Sequence, residues 1–149
     1  MSLLQKLDDD LKSALKASDS LRVSVIRMTK AALKNRQIDK RGDLSEEDII
    51  AVLSTLAKQR KESIEQFSKG GREDLAEKER QELSILQSYM PEQLTHEELD
   101  GVIIEAIKET SAGGVKDMGK VMRLVMSRVK GAADGKIVTQ RVKNLLERT

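Results

Sequence analysis

Apolar residues return every three or four positions along almost the whole chain, which is the spacing of one helix face. Leu3, Leu4, Leu7, Leu11 and Leu15 mark a first helix. Leu21, Val25, Met28 and Ala32, widened by Ile26 and Leu33, mark a second. The third opens with a start signal: Ser45 as cap, Asp48 three residues on, and Leu44 placed to staple against Ile49. Its stripe runs Ile49, Leu53, Leu56, Ile64, Phe67, and Gly70-Gly71 stops it. Leu75, Leu83, Leu86 and Met90 mark a fourth helix, whose nearly all-charged first two turns are expected to project from the core. Pro91, the single proline, cannot continue a helix interior and biases Met90 away from helix. The start signal then repeats with Thr95, Glu98 and the pair Leu94–Leu99. Leu99, Val102, Ile103, Ala106 and Ile107 mark the fifth helix, and Thr110 to Gly114 form a small-residue loop. Met118, Val121, Met122, Val125 and Val129 mark the sixth. A tight turn, Gly131 to Gly135 with Asp134 as cap, leads to the seventh, marked by Val138, Val142, Leu145 and Leu146. No segment alternates as a strand would. The pattern predicts an all-α protein: an N-terminal four-helix domain over 1–90 and a C-terminal three-helix domain over 91–149.

Composition then removes chemistry. There is no cysteine and one histidine, His96, which excludes thiolate zinc sites, disulfides, Cys nucleophiles and His-cluster metal sites. No metal or cofactor is expected. Phe67 and Tyr89 are the only aromatics, too few for a base-stacking platform, so any nucleic-acid contact must be to phosphates and shape. No apolar run approaches the ~20 residues of a membrane span, and the first residues do not read as a signal peptide. The expectation is a soluble, cytoplasmic protein without a membrane partner.

Charge is plentiful, 35% of the chain, and unevenly placed. Residues 1–71 carry net +3, 72–109 net −7 and 110–149 net +6. Lys116, Lys120 and Arg123 share one helix face, with Lys130 continuing the line, and Lys136, Gln140 and Lys143 repeat the spacing on the last helix. Lys130 and Lys136 bracket the turn from Gly131 to Gly135, where backbone N–H groups at a helix start suit an anion. After residue 109 only Asp117, Asp134 and Glu147 are acidic, so this stripe is the primary candidate for phosphate or an acidic partner. A secondary basic face, Arg27, Lys30, Lys34 and Arg41, falls within an arc of about 60° opposite Leu21 and Val25.

Other features point to packing. Gly114 to Val121 matches G-x-x-x-x-G-K, but no strand precedes it and Val121 stands where a Ser or Thr should hold magnesium. Gly119 is instead expected to let two helix backbones approach. Glu79 and Glu82 flank Leu83 and Leu86 and read as solvated or ion-paired rather than catalytic. Arg60 sits on the apolar line between Leu56 and Ile64, either snorkelling or pairing with an acid of the fourth helix. His96, in a first helical turn, lacks an identifiable partner for base catalysis.

Several segments give the chain a specific resemblance. They are Ala31-Ala32-Leu33-Lys34-Asn35, Leu44-Ser45-Glu46-Glu47, Lys58 to Ile64, Leu86 to Leu94, Lys116 to Met122, and Lys130 to Lys136. With them the chain closely resembles the YqeY-like family, small bacterial proteins related to the tail of GatB, a subunit of the glutamine-dependent Asp/Glu-tRNA amidotransferase. The resemblance implies a helical N-terminal domain followed by a three-helix domain like that tail, a tRNA-contacting module of the larger enzyme. The resemblance places Ala132 where many relatives carry Arg, which removes one potential phosphate contact. The resemblance also invites the label of carbon–nitrogen ligase with glutamine as amido-N-donor. Lacking a visible nucleophile system or nucleotide site, the isolated chain is expected instead to be a non-catalytic tRNA-associated module. The implied partners are tRNA or another structured RNA, and an amidotransferase or aminoacyl-tRNA synthetase. The alternatives are an amidotransferase-like component and a protein–protein adaptor with a basic C-terminal face.

Overall fold

A computed structural model describes residues 2–148, and every regular element among them is helical. The order is α1 (Leu3–Lys16), α2 (Ser20–Lys40), α3 (Glu46–Lys69), α4 (Glu73–Gln87), α5 (His96–Thr110), α6 (Met118–Val129) and α7 (Gly135–Glu147). A 3-10 turn, Val115–Asp117, leads into α6. No described helix is long and apolar enough to cross a membrane.

The helix starts follow from short-range chemistry. Ser45 and Asp48 form a reciprocal capping box, as do Thr95 and Glu98, each satisfying backbone N–H groups that the helix leaves open. Ser2, Asp19 and Asp134 cap α1, α2 and α7 with side-chain oxygens. Arg41, Ser111 and Lys130 end α2, α5 and α6 in the left-handed conformation, which turns the chain out of the helix.

The chain forms two compact units, Met1–Met90 and Pro91–Thr149. In the first, α3 and α4 are joined by three residues and pack as an antiparallel hairpin, and α1 and α2 form a second pair. Leu7, Val25, Ile26, Leu33, Ile49, Leu53, Leu56, Ile85, Leu86 and Tyr89 close the core. Thr29, its one buried polar side chain among the described residues, returns its hydroxyl to the Val25 carbonyl at 2.8 Å. The phenol of Tyr89 donates to Asp10 at 2.5 Å, and burial, then that carboxylate, push its pKa up to about 12. The first turns of α4 lie outside this core cluster, as their charge predicts, yet Ala76 among them is fully buried.

In the second unit α5, α6 and α7 all touch one another around Leu99, Ile103, Ala106, Val121, Val125, Val129, Val138, Val142 and Leu146. The segment before α5 is fastened to the α6–α7 turn. Leu94 N–H donates to the Ala132 carbonyl at 2.8 Å, and the Gln93 amide donates to the Gly131 carbonyl at 3.1 Å.

Two expectations need correction. Leu4 and Leu15 are not core: they are 41% and 49% exposed, and the buried line of α1 runs through Leu7 and Ala14 instead. Gly119 does not let backbones approach, since a Cβ built there meets nothing within 4 Å. Gly101 is equally open and lies inside α5, where glycine costs conformational entropy. Gly101→Ala should therefore stabilise the protein by about 0.5–1 kcal/mol, read as a raised midpoint in urea denaturation. An unchanged or lowered midpoint would contradict the open environment of this position.

Candidate functional site

The basic residues after Thr110 divide into two groups by what the fold does with them. Arg141 on α7 reaches α5 and grips Asp100 with two nitrogens, at 2.6 and 2.5 Å, and lies 3.5 Å from His96 Nδ1. The guanidinium holds the Asp100 carboxyl below the usual carboxylate range. Arg128 on α6 pairs with Glu109 near the end of α5. These arginines bind the two basic helices to the acidic one. Sequence reasoning passed over both. Their position offered a signal: neither lies on the outward basic lines.

The second group faces outward. Lys116, Lys120, Arg123, Lys130, Lys136 and Lys143 are all exposed. Arg123 spends one nitrogen on the Gly119 carbonyl of its own helix, at 3.3 Å. Lys116, Lys120, Arg123, Lys136 and Lys143 make no ion pair among the described residues. On α6 these cations lie opposite Val121, Val125 and Val129, so core packing fixes the direction in which they point. The five-residue turn brings Lys130, at the end of α6, close in sequence to Lys136, in the first turn of α7. Helix α7 packs against the 3-10 turn that carries Lys116 as well as against α6.

The turn itself is less open to an anion than its sequence suggests. Asp134 already accepts the Lys136 N–H at 2.9 Å, so the start of α7 carries its own carboxylate. Gly131, at φ 84°, is half-buried, and its carbonyl is taken by Gln93. Gly131 shapes the turn, Gly135 opens α7, and the side-chain ammonium groups around them carry the positive charge. Gly114 to Val121 is a 3-10 turn running into a helix with Val121 fully buried, which is not the geometry of a phosphate loop.

The secondary basic face on α2 is broken in the middle. Lys30 is drawn to Asp8 of α1 at 2.5 Å, whereas Arg27, Lys34 and Arg41 are exposed and make no ion pair among the described residues.

Of the two readings of Arg60, the structure shows the ion pair. Its Nε lies 3.3 Å from Glu79 and 3.1 Å from Glu82, with the three side chains only 14%, 20% and 13% exposed. A terminal nitrogen also meets the Met28 sulfur of α2. Burial, then the neighbouring Glu82, pushes the Glu79 carboxyl above its ordinary value. Such a group costs more to ionise in the folded chain than in the unfolded one, so its contribution to stability declines as pH rises through its folded pKa. No group of three or more His, Cys, Asp or Glu among the described residues is placed to hold a metal ion.

A family model described as Yqey-like protein matches residues 4–146. Among curated proteins, the chain is similar to proteins named "Altered inheritance of mitochondria protein 41, mitochondrial". The Kluyveromyces lactis protein is 39% identical over 106 residues, covering 69% of this chain and 57% of that protein. That from Pyrenophora tritici-repentis is 30% identical over 147 residues, covering 97% and 81%. The Saccharomyces cerevisiae protein is 35% identical over 116 residues, covering 74% and 62%. The chain spans about half the length of the first of these relatives that it matches. The cytoplasmic expectation is corrected by this finding, since the relatives are named as mitochondrial proteins.

The Arg60 cluster generates a stability prediction. Arg60→Ala leaves two half-buried carboxylates without their cation and should cost about 2 kcal/mol at neutral pH, less at pH 5. Glu79→Gln removes the group that resists ionisation and should be neutral or stabilising at neutral pH. Urea denaturation of both variants at the two pH values checks this; a Glu79→Gln loss as large as that of Arg60→Ala would contradict it.

Proposed function

The chain belongs to the YqeY-like family, and we propose that within it this protein is a non-catalytic module contacting tRNA, or another structured RNA, through the outward basic lines of α6 and α7. In this reading residues 91–149 are the domain comparable to the amidotransferase tail, and the chain works beside an amidotransferase or an aminoacyl-tRNA synthetase. The observation that carries it is the sorting of cations in the second unit. Asp100 and Glu109 neutralise Arg141 and Arg128, while Lys116, Lys120, Arg123, Lys136 and Lys143 stay exposed and unpaired among the described residues. Polar residues fill the gaps. Ser127 continues the α6 line and Gln140 lies between Lys136 and Lys143, so these lines present charge and hydrogen-bonding groups, as a phosphate backbone requires.

Amide transfer by the isolated chain is the competing label. It needs a nucleophile to release ammonia and a nucleotide site to activate the tRNA end. The chain has no cysteine, and its G-x-x-x-x-G-K segment is a 3-10 turn running into a helix. The expected result with glutamine, ATP, magnesium and misacylated tRNA is no ammonia and no amidated tRNA above a no-enzyme control. Either product would assign the chain to the ligases.

Binding to phosphates releases counterions, so tRNA affinity should fall steeply with salt, with a log–log slope of about −3 to −5 for up to five contacts. Lys120→Glu combined with Lys136→Glu should weaken binding and flatten the slope with little change in thermal stability, because both side chains are exposed. Single-stranded oligomers should bind no better than folded tRNA of similar charge. Wild-type protein that ignores tRNA at low salt, in a titration sensitive to weak complexes, would overturn this reading.

A further inference from the structure

The outward face of α2 carries a second pattern of different chemistry. Arg27, Ala31, Lys34, Ile38 and Arg41 follow one another at spacings of four, three, four and three residues, and all are exposed. At 100° per residue the four within α2, Arg27 to Ile38, fall within an arc of about 60°, a straight seam some 16 Å long, and Arg41 follows at its end, where the chain leaves the helix. Cations and apolar side chains alternate along it. Ile38 is 63% exposed, an unusual place for a large aliphatic side chain without a partner.

Neighbouring α1 adds to the same surface. Leu4 and Leu15 are 41% and 49% exposed and lie on one face of α1, eleven residues or about three turns apart. With Ile38 they are the large exposed apolar side chains of the first unit among the described residues. Each leucine edges a hollow against α2. One, about 500 Å³, is lined by Leu4, Leu33 and Leu44 with Lys30, Lys34 and the single carboxylate Asp43 at its edge; the other, about 560 Å³, by Leu15, Arg27 and Val23. The Asp8–Lys30 pair lies between them along both helices.

We propose that this α1–α2 surface is the docking site for an acidic amphipathic helix of a partner protein. The partner helix would place apolar side chains in the two hollows and against Ile38, and carboxylates opposite Arg27, Lys34 and Arg41. Charge complementarity selects an acidic occupant, because the three seam cations make no ion pair among the described residues. The apolar positions on the same line select a protein helix over nucleic acid: phosphates gain nothing from Ile38, Leu4 or Leu15, whereas a helix laid along a groove buries them.

A displayed library of four-turn helices, randomised on its exposed positions, tests this against the full-length protein. Selection should enrich Leu or Ile at three- and four-residue spacing with Asp or Glu seven residues apart. A peptide made from the enriched sequence should shift backbone amide resonances of α1 and α2. Its affinity should fall about tenfold or more with Ile38→Asp or with Lys34→Glu, while circular dichroism stays unchanged. Lys120→Glu with Lys136→Glu should leave peptide binding intact, which separates this site from the proposed RNA face. The proposal is overturned if selection yields no acidic amphipathic pattern, or if the selected peptide binds the Ile38→Asp variant as tightly as wild type. It is also overturned if Lys34→Glu, but not Ile38→Asp, abolishes tRNA binding, which would make this an RNA face. A concentration-dependent dimer lost on Ile38→Asp would overturn it in favour of a second copy of the chain.

Discussion

The structure depends on making a core without aromatic side chains. Phe67 is only half-buried and Tyr89 alone of the two belongs to a core cluster, so aliphatic groups one or two methyls wide do nearly all the packing. In the second unit the centre is largely valine: Val121, Val125, Val129, Val138 and Val142. Such residues cover a narrow stripe per helix and require the helices to approach closely. The remainder of each helix faces outward, and this chain fills that surface with charge, 35% of its residues. What distinguishes one face from another is therefore which charges the fold neutralises and what stands between the rest.

Neutralisation is a tertiary event and follows simple geometry. Asp100 and Glu109 sit on α5 where α6 and α7 can bring an arginine to them, and the planar guanidinium of Arg141 meets both oxygens of Asp100. In the first unit Arg60 is enclosed by Glu79 and Glu82 of the paired helix. Arginine is used for each of these contacts, and lysine dominates the outward lines. A guanidinium tolerates partial burial because it is weakly hydrated and directs its donors at fixed angles, whereas an ammonium on a flexible stem remains in water.

Features set by neighbours a few residues apart were legible in the sequence, and features set by distant neighbours were not. Both capping boxes, the stop at Gly70-Gly71 and the all-helical character follow from local chemistry. The phase of α1 did not, because whether Ala14 or Leu15 enters the core depends on α2. Gly119 was misread for the same reason: the sequence shows a small residue but not the empty space beside it. The cations of the candidate site were visible as spacings, but their division into paired and unpaired groups needed the third dimension. The Asp134 cap of the turn at Gly131 to Gly135 is local and readable, and it occupies the Lys136 N–H that an anion would need. Location was read from what the first residues lack, an argument that the mitochondrial names of the relatives overturn.

One spacing, used twice with different fillers, separates the two surfaces. On α6 the outward line runs Lys120, Arg123, Ser127, Lys130, and on α7 Lys136, Gln140, Lys143, Glu147. On α2 it runs Arg27, Ala31, Lys34, Ile38, Arg41. All three lines step by three and four residues, so within its helix each presents side chains along a straight edge, which Lys130 and Arg41 follow as caps. Ile137 is exposed on α7 but lies about 100° around the helix from Lys136, off its line. Ile38 lies on its line, between two cations. A partner made of phosphates is indifferent to that isoleucine, and a partner made of side chains can bury it. The residue between the charges, more than the charges themselves, decides which kind of molecule each face can hold.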